Sequence, residues 1–145
     1  MSETFRQLLR ALPDFPELLP DFDPDGAPAD PAELFGQWFE AALAAGVPQP
    51  NAFSLATADE LGRPSSRMLI LKDLDDDGWH FATSRASRKG RELAANPQAA
   101  LNFFWQPQGR QVRVAGSVVE LSAAASAADW HDRPGADGSD NPDWQ

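Results

Sequence analysis

Arg67 and Lys72 stand at the two ends of Met68-Leu69-Ile70-Leu71, and Ser84-Arg85-Ala86-Ser87-Arg88-Lys89-Gly90 follows a few residues later. The first block puts cations at the rims of an apolar strand. The second puts a hydroxyl, two adjacent cations and a glycine where a strand gives way to a helix. Free amides at a helix start, together with the positive end of the helix dipole, favour a phosphate-sized anion. Cations in a first turn oppose that dipole, so Arg88 and Lys89 need a reason to be there, and a bound anion is one. The plainer alternatives are two solvated rim charges at Arg67 and Lys72, and an ordinary capped helix after Ser87. Further on, Gln111 opens the alternating run Gln111-Val112-Arg113-Val114-Ala115-Gly116. Its amide offers both donor and acceptor, which suits the edge of a flat heteroaromatic ring. An outward-facing polar strand residue is the simpler reading of the same glutamine.

The chain as a whole is acidic, with 12 Lys+Arg against 22 Asp+Glu and a net charge of −10. Residues 1–40 carry 2 bases and 9 acids, residues 41–127 carry 9 and 8, and residues 128–145 carry 1 and 5. Bases gathered into the middle of an acidic chain point to a small anionic ligand. Nucleic acid calls for a broad basic face, which this chain lacks. Cysteine is absent, and His80 and His131 lie far apart, which argues against a thiol nucleophile, a disulfide framework or a metal site. No Ser-His-Asp order, paired carboxylates in apolar settings or phosphate-binding P-loop is visible, so no catalytic residue is assigned. Met1 is not followed by a basic leader and apolar run, and no window approaches the roughly 20 apolar residues of a membrane span. The expectation is a soluble, cytoplasmic protein with no membrane partner.

These residues need a scaffold, and a chain of 145 residues predicts one domain. Residues 3–11 read as a short helix stopped by Pro13 and Pro16, and residues 12–30 as an extended arm. Asp30-Pro31-Ala32-Glu33 is a helix start: a capping carboxylate, proline at the first helical position and glutamate three after the cap. Gly46 ends that helix. Strands are expected over 52–57, 65–73, 79–83, 99–105 and 111–121, with acidic Asp75-Asp76-Asp77-Gly78 as a turn. Helices are expected over 88–95 and 123–130. Phe103-Phe104-Trp105 reads as core or dimer interface rather than cofactor stacking. Glu92, Glu120 and Asp75 to Asp77 read as solvated surface. The domain layout is an acidic, Pro-rich arm over 1–29, a folded domain over 30–130 and a disordered acidic tail over 131–145. The fold class is mainly β with flanking helices, arranged as a small antiparallel β-barrel.

Taken in order, these pieces resemble the pyridoxamine 5′-phosphate oxidase family from about Asp30 to Leu121. The most specific are Ser66 to Lys72, Phe81-Ala82-Thr83 with Ser87-Arg88-Lys89, and Gly109 to Gly116; Asn96-Pro97 before a strand ending in Trp105 also fits. The resemblance implies a split β-barrel of the FMN-binding type, a homodimer with FMN between the subunits. It assigns FMN binding to Arg67, Met68, Leu69, Ile70, Leu71, Lys72, Ala82, Thr83, Arg88, Lys89 and Gln111. Arg67, Arg88 and Lys89 would meet the phosphate, while Thr83 and Gln111 would address the ring's polar groups. Lys72 and Arg133 would face a small phosphorylated substrate. The implied reaction oxidises the phosphorylated amine or alcohol form of vitamin B6 to pyridoxal 5′-phosphate. Two positions depart from the pattern, since Asp129 and Asp137 replace a tyrosine and a serine near the substrate phosphate. The family's later segments, with a Trp and an Arg toward the flavin and an Arg-x-His pair toward the substrate, have no counterpart before Gln145. The expectation is an FMN-dependent oxidase with weak turnover. The alternatives are a flavin-binding module without oxidase activity and a reductase using a related flavin-like cofactor.

Overall fold

A computed structural model of the chain describes residues 3–121. The helix expected over 123–130, the tail over 131–145, and Asp129, Arg133 and Asp137 lie outside the described residues. Six strands follow in chain order: β1 (Ala52–Ala58), β2 (Pro64–Ile70), β3 (Asp73–Asp75), β4 (Gly78–His80), β5 (Gln98–Trp105) and β6 (Arg110–Ser117). Four of them form an antiparallel sheet in the order β2-β1-β5-β6, and β3-β4 form a separate hairpin. Three helices, α1 (Glu3–Ala11), α2 (Pro31–Ala44) and α3 (Arg88–Ala95), stand where the sequence predicts them.

Local chemistry explains the elements. Asp30 caps α2 by accepting the Ala32 amide at 2.9 Å, Pro31 occupies the first turn, and Gly46 leaves the helix with φ 73°. The β1–β2 turn is knotted by one carboxylate. Asp59 Oδ1 accepts the amides of Leu61 and Arg63, and Oδ2 accepts Arg63 Nε at 2.7 Å.

The strand expected over 65–73 divides instead at Leu71-Lys72. Leu71 N still donates to Asn51 O, but Lys72 N donates to His80 O, so the chain changes partners there. What reads as an acidic turn is half strand. Asp73 and Asp75 belong to β3, and Asp75 Oδ1 meets His80 Nε2 at 2.7 Å across the hairpin. β4 consequently ends at His80 rather than continuing to Thr83.

The core lies on one face of the four-stranded sheet. Phe35 of α2 sits 5.0 Å from Phe103, 5.7 Å from Trp105 and 5.8 Å from Trp79, ring centre to ring centre. Ala42, Val47, Phe53, Leu55, Leu69 and Leu101 are buried with Phe35, Phe103 and Trp105, and Trp105 Nε1 donates to Pro50 O at 3.0 Å. Within Phe103-Phe104-Trp105 the outer two are core, and Phe104 faces out against the edge of Phe15. The run Met68 to Leu71 is apolar on both faces, yet the described residues cover only one. Leu69 is buried while Met68 is 61% exposed. The arm before α2 packs Phe22 on Trp38 of α2 and Leu19 over Gly109 at the β5–β6 connection. Among the described residues no helix is long and apolar enough to cross a membrane.

Candidate functional site

Strand alternation brings Ser65, Arg67 and Leu69 to the same face of β2, opposite Thr57, Leu55 and Phe53 of β1. Toward Leu69 this face is apolar and joins the core. Toward Ser65 it turns polar, and there α3 covers it. The loop that leads into α3 folds back against the helix, and it can do so because residue 90 is glycine. A Cβ at Gly90 would lie 2.0 Å from the Ser84 carbonyl oxygen and 2.9 Å from Arg85 Cα, both backbone atoms that cannot step aside. Gly90→Ala therefore forces the Ser84–Arg85 backbone away from α3. We expect a loss of about 2 kcal/mol or more, the upper part of the overpacking range, read as a lowered urea midpoint.

Under α3 lies a chain of charge-assisted contacts. Glu92 is buried, with its side chain 6% exposed. Its Oε2 accepts the hydroxyls of Thr57 and Ser65, and its Oε1 accepts Arg88 Nε at 3.1 Å. Arg67 donates through Nη1 to Thr57 Oγ1 at 2.6 Å and Leu55 O at 3.3 Å, and through Nη2 to Ser65 Oγ. Arg67 Nη2 also stands 3.7 Å from Glu92 Oε2. The hydrogen bonds from Thr57, Ser65 and Arg88 hold the Glu92 carboxyl below the usual range, against the opposing pull of burial. That stability is present above the ordinary value of 4.5 and is lost as pH falls through the lowered one.

Beside this network opens a concavity of about 370 Å³, lined by Ser65, Ser66, Arg67, Met68, Ser87, Arg88 and Lys89. Ser87 caps α3 by accepting the Gly90 amide at 3.1 Å. The Arg88 and Lys89 amides ahead of it have no helical acceptor, as at any helix start. Lys89 is only 2% exposed, and its ammonium meets Ser87 Oγ at 3.4 Å. No carboxylate pairs with it among the described residues. Burial, and then the nearby Arg67 charge, lower its pKa from the ordinary 10.5. A buried ammonium with one long hydroxyl contact is costly. An anion in the concavity would relieve that cost.

The sign of the pH dependence follows. In the free protein the lowered pKa penalises folding at pH below it, and the penalty lifts as pH rises through it. Anion binding needs the charged form, so affinity must fall as pH rises through the same value, earlier than for a lysine near 10.5. Phosphate titrations from pH 7 to 10 should show this decline, and Lys89→Met should flatten it.

The structure gathers Arg67, Met68, Arg88 and Lys89 around the concavity and leaves the other predicted residues elsewhere. Thr83 is adjacent, its hydroxyl 3.4 Å from Ser87 Oγ. Leu69 is core, Ile70 and Leu71 are half-buried, and Lys72 is exposed at the hinge into β3. Ala82 is half-buried in the loop before α3. Gln111 is exposed on β6, opposite Phe104. Three strand spacings separate β6 from β2, about 14 Å, so one chain does not bring Gln111 into the concavity. Glu92 corrects the sequence reading: it is not solvated surface but the buried centre of the network. Its signals were Arg88 one helical turn before it and Ser65 alternating with Arg67, but neither says which face of α3 meets the sheet. Thr57 and Ser65 were missed for the same reason. Glu120 and the Asp75–Asp77 run are exposed as expected, with Glu120 paired to Arg85.

The arrangement defines a class: an antiparallel barrel-type sheet with three cations and a helix start around one open concavity. Within that class the chain belongs to the pyridoxamine 5′-phosphate oxidase family, whose model matches residues 39–143. It is 54% identical over 110 residues to a pyridoxine/pyridoxamine 5′-phosphate oxidase of Bordetella petrii, covering 76% of this chain and 52% of that one. It is 50% identical over 105 residues to the protein of the same name from Trichormus variabilis, covering 72% and 49%. The chain thus spans about half the length of the curated relatives it matches. Among solved structures it is similar to PhzG from Burkholderia lata 383 in complex with tetrahydrophenazine-1-carboxylic acid. The TM-score is 0.76 at 35% identity, over 80% of this chain and 58% of that one. A pyridoxamine 5′-phosphate oxidase-related, FMN-binding protein from Nostoc punctiforme shares the fold, with a TM-score of 0.55 at 21% identity over 68% and 58%. The fold is the split barrel of that family, and the named relatives make it a family of oxidoreductases.

Proposed function

We propose that the chain binds FMN and serves as an oxidase of the pyridoxamine 5′-phosphate type, as a cytoplasmic homodimer with the cofactor at the subunit interface. The observation that carries the reading is Lys89, buried beside Arg67 and Arg88 without a carboxylate of its own. A phosphate monoester fits that donor set: a dianion would meet three cations, the Ser66 hydroxyl and the first amides of α3. A bound FMN would supply the redox chemistry, two-electron oxidation of the substrate with oxygen as the final acceptor. This chain's residues bind and orient. Arg67, Arg88 and Lys89 hold the phosphate, the backbone from Met68 to Leu71 with Ala82 and Thr83 flanks the ring, and Lys72 faces the substrate phosphate. Gln111 sits too far across the sheet to join them within one chain, and Met68 leaves its strand face open. Both fit a second subunit that closes the site.

A second reading, oxidation of a different reduced ring compound on the same cofactor, is supported by the 35% identity to PhzG. One experiment separates the two. The purified protein is loaded with FMN, its visible spectrum recorded, and candidate substrates added without oxygen. Bleaching by pyridoxamine 5′-phosphate or pyridoxine 5′-phosphate supports the first reading. Bleaching only by other ring compounds supports the second, and failure to take up FMN overturns both. Light scattering on the loaded protein should give twice the 15.8 kDa chain mass, and a monomer would contradict the shared site.

A further inference from the structure

The two arginines of the concavity share one anchor. A hydroxyl has a single proton to donate. Thr57 and Ser65 both give theirs to Glu92 Oε2, so their oxygens are left to accept from Arg67 Nη1 and Nη2. The other carboxylate oxygen takes Arg88 Nε at 3.1 Å. Glu92 is not among the residues lining the concavity, yet both guanidinium groups are oriented through it. We propose that Glu92 is a positioning residue for the anion site: it holds Arg67 and Arg88 in the geometry that receives a phosphate, without touching the ligand. The inference rests on the reading of this concavity as the phosphate cradle.

Two effects of removing Glu92 compete. A carboxylate near an anion repels it, so on charge alone its loss tightens binding. On positioning, its loss frees two long side chains whose rotamer freedom must then be lost again on binding. It also leaves Arg67 and Arg88 without their shared counter-charge. Four contacts converge on the carboxylate, counting the hydroxyls, Arg88 and the longer approach of Arg67, and the hydroxyl relay has no other acceptor. The positioning effect therefore dominates.

The test is Glu92→Gln in the full chain, with inorganic phosphate, FMN and riboflavin as probes and binding as the readout. Glutamine keeps the size and one acceptor, but its amide presents a donor where Arg88 Nε needs an acceptor. Phosphate and FMN should each bind at least tenfold more weakly than to the unaltered chain, with riboflavin affinity within twofold. Equal or tighter phosphate binding would overturn the proposal in favour of simple repulsion. An equal loss for riboflavin and FMN would overturn it in favour of a general structural role. An unaltered chain that binds phosphate but neither flavin sinks the FMN reading alone, and the phosphate comparison still decides Glu92. An unaltered chain that binds none of the three sinks both. Should Glu92→Gln fail to fold, Thr57→Val removes one link of the relay and leaves the carboxylate. It should weaken phosphate at least threefold, and unchanged affinity would overturn the proposal.

Discussion

Arg88→Ala combined with Lys89→Met is expected to weaken FMN by at least about a hundredfold and to leave riboflavin nearly unaffected. Each lost contact to a charged phosphate is worth about 1.5–3 kcal/mol. Two at the low end sum to about 3 kcal/mol, and every 1.4 kcal/mol is tenfold. Methionine at residue 89 keeps the bulk of a side chain that is only 2% exposed, so the change removes charge without opening a hole. The methionine relieves the cost of a buried ammonium, so the thermal midpoint of the single variant Lys89→Met should not fall. A flavin titration by fluorescence quenching decides it. If FMN and riboflavin weaken together, the cradle is not where the phosphate sits.

Phe103→Ala should have the largest effect on stability, with no part in the chemistry. Phe103 is fully buried, 5.0 Å from Phe35 and 5.2 Å from Phe53 between ring centres, so it ties α2 to the middle of the sheet. Truncating such a ring costs about 3–5 kcal/mol, a large part of the 5–15 kcal/mol that holds an ordinary domain together. Urea unfolding followed by tryptophan fluorescence measures the loss. Phe104→Ala one residue on is the control. Its ring is 56% exposed and meets the edge of the arm's Phe15, so the unpaired chain should lose little.

The contrast between those neighbours was readable in the sequence only as an alternation. Local signals were the reliable ones. Asp30-Pro31 and Ser87 announced α2 and α3 because caps act within a turn of the residue that makes them. Arg67, Arg88 and Lys89 were picked out by type and spacing, and the fold brings them to one concavity. What escaped depends on contacts between distant segments. The burial of Glu92 requires that α3 dock on β1 and β2, and charged residues are so seldom buried that the surface was the better guess. The β3–β4 hairpin escaped because its register rests on Asp75 reaching His80, a side-chain contact hidden inside what looked like a solvated acidic turn. Met68 shows a third kind of limit. Its strand is apolar on both faces, and only a structure reveals which face the chain itself leaves open.

The sheet consists of two hairpins joined by a short seam. β1 and β2 align over seven residue pairs and β5 and β6 over eight, but β1 meets β5 only from Ser54–Asn102 to Ala56–Ala100. Each hairpin closes a short loop and can form in about 1–10 microseconds. The seam must close the long loop that carries β3, β4 and α3, so it comes late and sets the folding rate. Arg67 belongs to the first hairpin and Lys89 to that loop, so the cradle does not exist until α3 has docked on β1 and β2 through Glu92, Thr57, Ser65 and Arg67. A phosphate ligand held there would recognise only the docked arrangement. It would brake the opening of that unit rather than template its formation.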